Sequence, residues 1–472
     1  MNKDQNPLDG HNSFDLLRNR FESMLKANDK YFYDVDDFEN LIDFYISRSN
    51  KKLTEAAIEE ALEQHPNHST FLLKKAQHYI SLDKNDDALK LLNHLEKVDP
   101  YNSEIFLIKG GLFSQLNKFN KAIEQYHKAL NEENATEVYT NIAYEYENMG
   151  KYLKAIDFLK KALDTDPEDY GLLYELSFCY EITQKQEEGI GFFESFINDY
   201  PFSQEAWYNL GMLYSSSEYY EKAIEAYDYA LAIDESFLSV ILSKAHALNA
   251  DEKYRASIEA YKEALKHDSD DASTFFLIGE NYASLQEYRK AIDYYQKCLK
   301  IDPKHSDAWA NIGLAKSELD LPEAASRYIK QAVDLEPYNS DYWSILAYIY
   351  GQSGHIRKAI EAYEKTLQLD ESHPEIWLDY TDLLIDNGFM PKAIKVISRA
   401  RGIHPNDDEL LYRNAAYLMI SGEQKKALRL LEKALKLNVG NFSFFLDYDP
   451  SFRINEDVIE LIEKYIEKSK NY

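Results

Sequence analysis

The chain has 472 residues, with 53 Lys and Arg against 82 Asp and Glu and a formal net charge of −29. That charge repels nucleic-acid backbones and anionic membrane surfaces, and it favours solubility and basic partners. The two cysteines, Cys179 and Cys298, stand in unrelated local patterns, which excludes a disulfide framework or a thiolate metal site and points to a reducing, cytoplasmic setting.

Residues 1–13 are polar and aperiodic around Pro7 and Gly10, lack the apolar core of an export signal, and are expected to be disordered. No apolar run is long enough to span a membrane. Within residues 14–34, Phe14, Leu17, Phe21, Met24 and Leu25 recur at helical spacing and predict an N-terminal capping helix.

A repeat begins at Val35. Large apolar side chains return at Phe38, Leu72, Phe106, Tyr139, Leu173, Trp207, Ile241, Phe275, Trp309, Trp343, Trp377 and Leu411. The step is 34 residues throughout, apart from one of 33 between Phe106 and Tyr139, and all four tryptophans lie in this register. Twelve units follow from it: 35–68, 69–102, 103–135, 136–169, 170–203, 204–237, 238–271, 272–305, 306–339, 340–373, 374–407 and 408–441. A second register holds small residues, among them Ala88, Ala155, Gly189, Ala223, Ala291 and Ala393, and a third runs through Gly110, Gly211, Gly279 and Gly313. Two antiparallel helices can press together only where side chains are small, so each unit is expected to be a helix pair.

Gly150, Gly354, Gly388 and Gly422 fall between the two helices of their units, where positive φ is often needed. Pro100, Pro201, Pro303 and Pro337 recur at unit boundaries, where proline stops the second helix. Residues 442–472 break the register and then resume helical spacing at Val458, Leu461, Ile462 and Tyr465, predicting a C-terminal capping segment and helix. No linker or composition shift interrupts 35–441, so one continuous array is expected.

The stretch WYNLGMLYSSSEYYEKAIEAYDYA, Trp207 to Ala230, places Trp207, Leu210, Gly211, Tyr214, Ala223, Tyr227 and Ala230 on the spacing of a tetratricopeptide repeat. The chain resembles that family, in the form of its stand-alone bacterial multi-repeat proteins. The resemblance implies an all-α fold, an α-solenoid in which about twelve helix pairs form a right-handed superhelix whose first helices line a concave groove. It also implies a protein-binding scaffold rather than an enzyme.

By the same resemblance, groove positions are the second, fifth, ninth, twelfth and thirteenth of each unit. None of them is Lys or Arg in this chain, so a cationic clamp for acidic peptide tails is excluded. Eight second positions are acidic, including Glu137, Glu205, Asp307 and Asp341. Fifth and ninth positions include Tyr144, Tyr174, Phe178, Tyr208, Met212, Phe276 and Tyr348. Together these eleven residues are the candidate groove, suited to a protein or peptide segment carrying Lys or Arg and apolar anchors. Two causes compete for the acidic second positions, since helix starts favour carboxylates for dipole reasons alone. Asparagines at sixth positions, Asn40, Asn141, Asn209 and Asn311, are not in adjacent units and do not make a continuous backbone-binding ladder.

No phosphate loop, HExxH, nucleophile signature or calcium loop is present, so no catalytic residue, metal or cofactor is expected. Cys179 and Cys298 read as packed thiols. The alternative to groove binding is a structural or self-assembling element that works through its convex or terminal faces.

Overall fold

A computed structural model describes residues 7–27 and 29–469, and every regular element among them is helical. The first helix runs Pro7–Ala27, so residues 7–13, expected to be disordered, continue the capping helix towards the N-terminus. Proline suits this opening, because the first helical position has no intrahelical use for an N–H. Residues 1–6 lie outside the described residues. Twelve antiparallel helix pairs follow, from Val35–Ser47 with Lys51–Gln64 to Asp408–Ile420 with Gln424–Leu437. Within residues 35–235, and again within residues 236–441, each pair stacks on the next.

The pairs belong to two compact units, Met1–Glu235 and Ser236–Tyr472, with six pairs in each. The 34-residue register runs through both units, because it is set by packing within a pair and against its neighbours in the same unit.

Local chemistry explains the pairs. First helices are commonly capped by a side chain: Asp169 accepts from the amides of Gly171 and Leu172 at 3.0 and 3.4 Å, Ser203 from Ala206, and Asn339 from Asp341. Each such cap contributes about 1 kcal/mol. Most second helices lack a side-chain cap and are entered through a left-handed residue instead. That residue is glycine at 150, 354, 388 and 422, and a non-glycine in the eight other pairs, Ser49, Asp83, Asn117, Gln184, Glu218, Glu252, Gln286 and Asp320. The turn geometry therefore prevails over side-chain preference in two pairs out of three.

The small registers face tyrosine rings. A Cβ at Gly211 or Gly279 would stand 2.5 Å from the ring of Tyr227 or Tyr295, so glycine lets these buried tyrosines lie flat across the first helix. The tryptophan register has a polar component too. Trp207, Trp309 and Trp343 each donate their indole N–H to the carbonyl of the boundary prolines Pro201, Pro303 and Pro337 at 2.9 Å, and Trp377 donates to Glu371 at 3.2 Å. The indole thus ties each first helix to the loop that precedes it. Cys179 and Cys298 are fully buried.

Pair 5, Tyr170–Ile182 with Gln186–Asp199, departs from the rule. Each of its helices packs more extensively on a neighbouring pair than on the other. The buried ring of Tyr180 fills the space between them, and a Cβ at Gly189 would meet that ring at 2.8 Å. At the C-terminus, Glu456–Ser469 packs on Gln424–Leu437 through buried Val458, Ile462 and Tyr465, with Phe445 stacked on Phe452 beside it.

Candidate functional site

First helices of successive pairs touch one another in pairs 2 and 3, 5 and 6, 9 and 10, and 10 and 11. Successive second helices make no contact of comparable extent. The first helices therefore line the inner side of each unit, and the candidate residues lie on them.

In the N-terminal unit, Tyr144 on Ala135–Asn148 and Tyr174 and Phe178 on Tyr170–Ile182 are exposed. Tyr208 and Met212, on Gln204–Ser216, are half-buried, with the Tyr208 ring beside Tyr227. Among these aromatics stand carboxylates absent from the candidate set. Glu147 and Glu175 lie near each other across pairs 4 and 5, and burial, with a smaller contribution from the charge of Glu175, pushes Glu147 above the ordinary carboxylate range against the hydrogen bond from Cys179. Burial raises Glu175 as well, and Glu181, which Ser216 partly compensates by a hydrogen bond. The Cys179 thiol donates to Glu147 at 3.4 Å. Burial, and then the charges of Glu175, Glu147 and Asp169, also raises the Tyr144 phenol, which places that ring against the same carboxylates. Among the described residues, none of Glu147, Glu175 and Glu181 forms an ion pair.

In the C-terminal unit the expected residues are more occupied. Phe276 is half-buried and stacks on His305 with ring centroids 4.6 Å apart. Asp307 accepts from the Tyr342 hydroxyl at 2.6 Å. Tyr348 is exposed and its hydroxyl accepts from Gln352 at 2.8 Å. Asp341 is exposed.

The four acidic second positions of the candidate set, Glu137, Glu205, Asp307 and Asp341, lie in the first turn of their helices, where the helix dipole favours a carboxylate. The candidate residues are divided between the two units. Tyr144, Tyr174 and Phe178 share a face with Glu147, Glu175 and Glu181, while Phe276, Asp307, Asp341 and Tyr348 belong to the other unit. The missed carboxylates had a signal, since Glu147 and Glu181 occupy twelfth positions and Glu175 a sixth.

The inner faces also carry cations at the sixth positions, which the five-position reading passed over. Lys74 pairs with Asp43, and Arg413 bridges Asp382 and Glu409. Among the described residues, no group of three or more His, Cys, Asp or Glu stands close enough to hold a metal ion. No described helix is long and apolar enough to cross a membrane.

Family models described as tetratricopeptide repeat match residues 136–169, 204–237, 272–305, 306–339 and 352–415. The chain is 24% identical over 226 residues to the BBSome complex member BBS4 of Bos taurus, covering 48% of this chain and 41% of that protein, so it spans less than half of that relative's length. Among solved structures, yeast Tom70 aligns with a TM-score of 0.39 at 14% identity, over 84% of this chain and 96% of Tom70. YrrB, described as a TPR protein with an unusual peptide-binding site, aligns with a TM-score of 0.33 at 19% identity, over 38% of this chain and 93% of YrrB.

Proposed function

The chain belongs to the tetratricopeptide-repeat family, whose members mediate protein–protein interactions, and from that premise we propose that it is a non-enzymatic cytoplasmic scaffold that holds a basic, partly apolar protein segment. The segment lies on the inner face of the N-terminal unit. One observation carries this reading. Glu147, Glu175 and Glu181 are partly desolvated beside exposed Tyr144, Tyr174 and Phe178, with no cation paired to them among the described residues.

Partly buried carboxylates without counter-charges cost free energy in the unbound protein. Lys or Arg from a partner removes that cost, and the aromatic rings add contact area and cation–π attraction. Electrostatic steering also makes the association sensitive to salt.

Selection of random 16-residue peptides on the full chain tests the reading. Enriched peptides should carry Lys or Arg together with aliphatic or aromatic residues, weaken as salt rises from 50 to 500 mM, and lose at least tenfold in affinity on Glu147→Lys with Glu175→Lys. Enrichment of acidic peptides, or binding indifferent to that double substitution, overturns it.

A further inference from the structure

Helix Tyr170–Ile182 exposes a second-order pattern. Tyr170, Tyr174, Phe178 and Ile182 follow one another at intervals of four residues, and their exposures are 56, 56, 41 and 47%. They form an unbroken apolar ridge about 18 Å long, from the 1.5 Å rise per helical residue. Tyr170 and Ile182 extend the exposed Tyr174 and Phe178 to both ends of the helix. The same four positions of pair 10 are Ser340, Ser344, Tyr348 and Gln352, where one aromatic stands among polar residues.

A row at intervals of four is the ridge that one helix sets into the grooves of another. An extended peptide suits this surface poorly. Its backbone amides and carbonyls would need a row of partners, and of the sixth positions here Glu175 offers no donor when ionised and the amide of Asn209 already donates to the Glu205 carbonyl at 2.8 Å, which leaves Asn141 of pair 4 as a single amide rather than a ladder. A helix satisfies its own backbone and asks only for apolar contact and flanking charge. The carboxylates Glu147, Glu175 and Glu181 lie on the helices that carry or adjoin the ridge and supply that charge.

We infer that the segment bound by the N-terminal unit is an amphipathic α-helix, with an apolar stripe on the ridge Tyr170–Tyr174–Phe178–Ile182 and Lys or Arg along the flanks. This rests on the functional reading above and adds the conformation of the partner and the residues that read it.

The test uses two display libraries of 18-residue peptides with the same Lys, Ala, Leu and Phe composition. One spaces its apolar residues at i, i+3, i+4 and i+7, the other at i and i+2. Both are selected on the full chain, and hits are measured against Tyr174→Ser with Phe178→Ser and, separately, Glu147→Lys with Glu175→Lys. Because all four side chains are at least partly solvated, unchanged far-ultraviolet circular dichroism and melting of each variant serve as the folding control. Hits from the helical library, gaining helical signal on binding and losing at least tenfold in affinity with either variant, support the inference. Hits confined to the alternating library overturn it and leave the acidic-face reading standing, as does binding that depends on the glutamates alone. Hits from neither library that respond to the glutamate variant remove both.

Discussion

Asp382 and Glu409 of pairs 11 and 12 are closed by the protein's own groups, whereas Glu147 and Glu175 of pairs 4 and 5 meet no cation among the described residues. Asp382 takes two hydrogen bonds from Nη1 of Arg413, at 2.7 and 2.6 Å, and Nη2 of the same guanidinium reaches Glu409 at 2.6 Å. The hydroxyls of Tyr448 and Tyr417 add donors to Asp382 at 3.3 and 3.4 Å. Glu147 receives the Cys179 thiol and Glu181 a serine hydroxyl, and Glu175 holds the sixth position that Arg413 fills in pair 12. One side chain at one position thus separates an acidic face that is neutralised within the fold from one that is not.

The largest expected effect removes the closure. Arg413→Ala leaves two partly buried carboxylates unpaired and should destabilise the C-terminal unit by roughly 3 kcal/mol in chemical denaturation. Survival of that variant at wild-type stability would mean the network is ornamental. The converse change imposes closure: Glu175→Arg should pair with Glu147, raise the stability of the N-terminal unit by about 1 kcal/mol and abolish binding of basic peptides. A variant that is stabilised yet still binds would place the site elsewhere.

A third change separates stability from charge. Gln184, at φ 56°, enters the second helix of pair 5 in the left-handed region, so Gln184→Gly should stabilise by about 0.5–1 kcal/mol with peptide affinity unchanged. Thermal melting and anisotropy on the same samples read both quantities.

The smallest effect is the pH response. Burial raises Glu147, Glu175 and Glu181 above their unfolded values. For an acid shifted upward, the cost of ionisation is present above the folded value and disappears as pH falls through it. Acidification from pH 7 into the carboxylate range should therefore slow intrinsic-rate-corrected hydrogen exchange in 170–182 while weakening a Lys-containing peptide. Faster exchange there, with binding retained, contradicts the assignment of desolvated glutamates.

The helix pairs were legible because their determinants are local and repeated. Small residues at Gly211 and Gly279 and large ones at Trp207 and Trp309 mark one close contact and one boundary per unit, and each would be placed by counting. The use of the indole was not legible, since its N–H finds a proline carbonyl six residues back only after the boundary loop has folded. Nor were the left-handed turns at Glu218 or Glu252, whose side chains carry no preference for that conformation. For the candidate site, Tyr144, Tyr174 and Phe178 were found as exposed aromatics, whereas Phe276 is half-buried and stacks on His305. Glu137 and Glu205 drew notice for their sign, and both stand in a first turn, where the helix dipole favours a carboxylate.

The amino-acid sequence by itself determined the number of helix pairs, their boundaries with proline and the acidity of the chain, because helical periodicity and close packing are written within one repeat. Which carboxylates are paired, which aromatics remain exposed and how far pair 5 opens were decided only by the tertiary structure. Each of those depends on a side chain brought in from a neighbouring helix or the next repeat, as Arg413 is to Asp382 and Glu175 to Glu147, and burial and charge are properties of that meeting rather than of either residue.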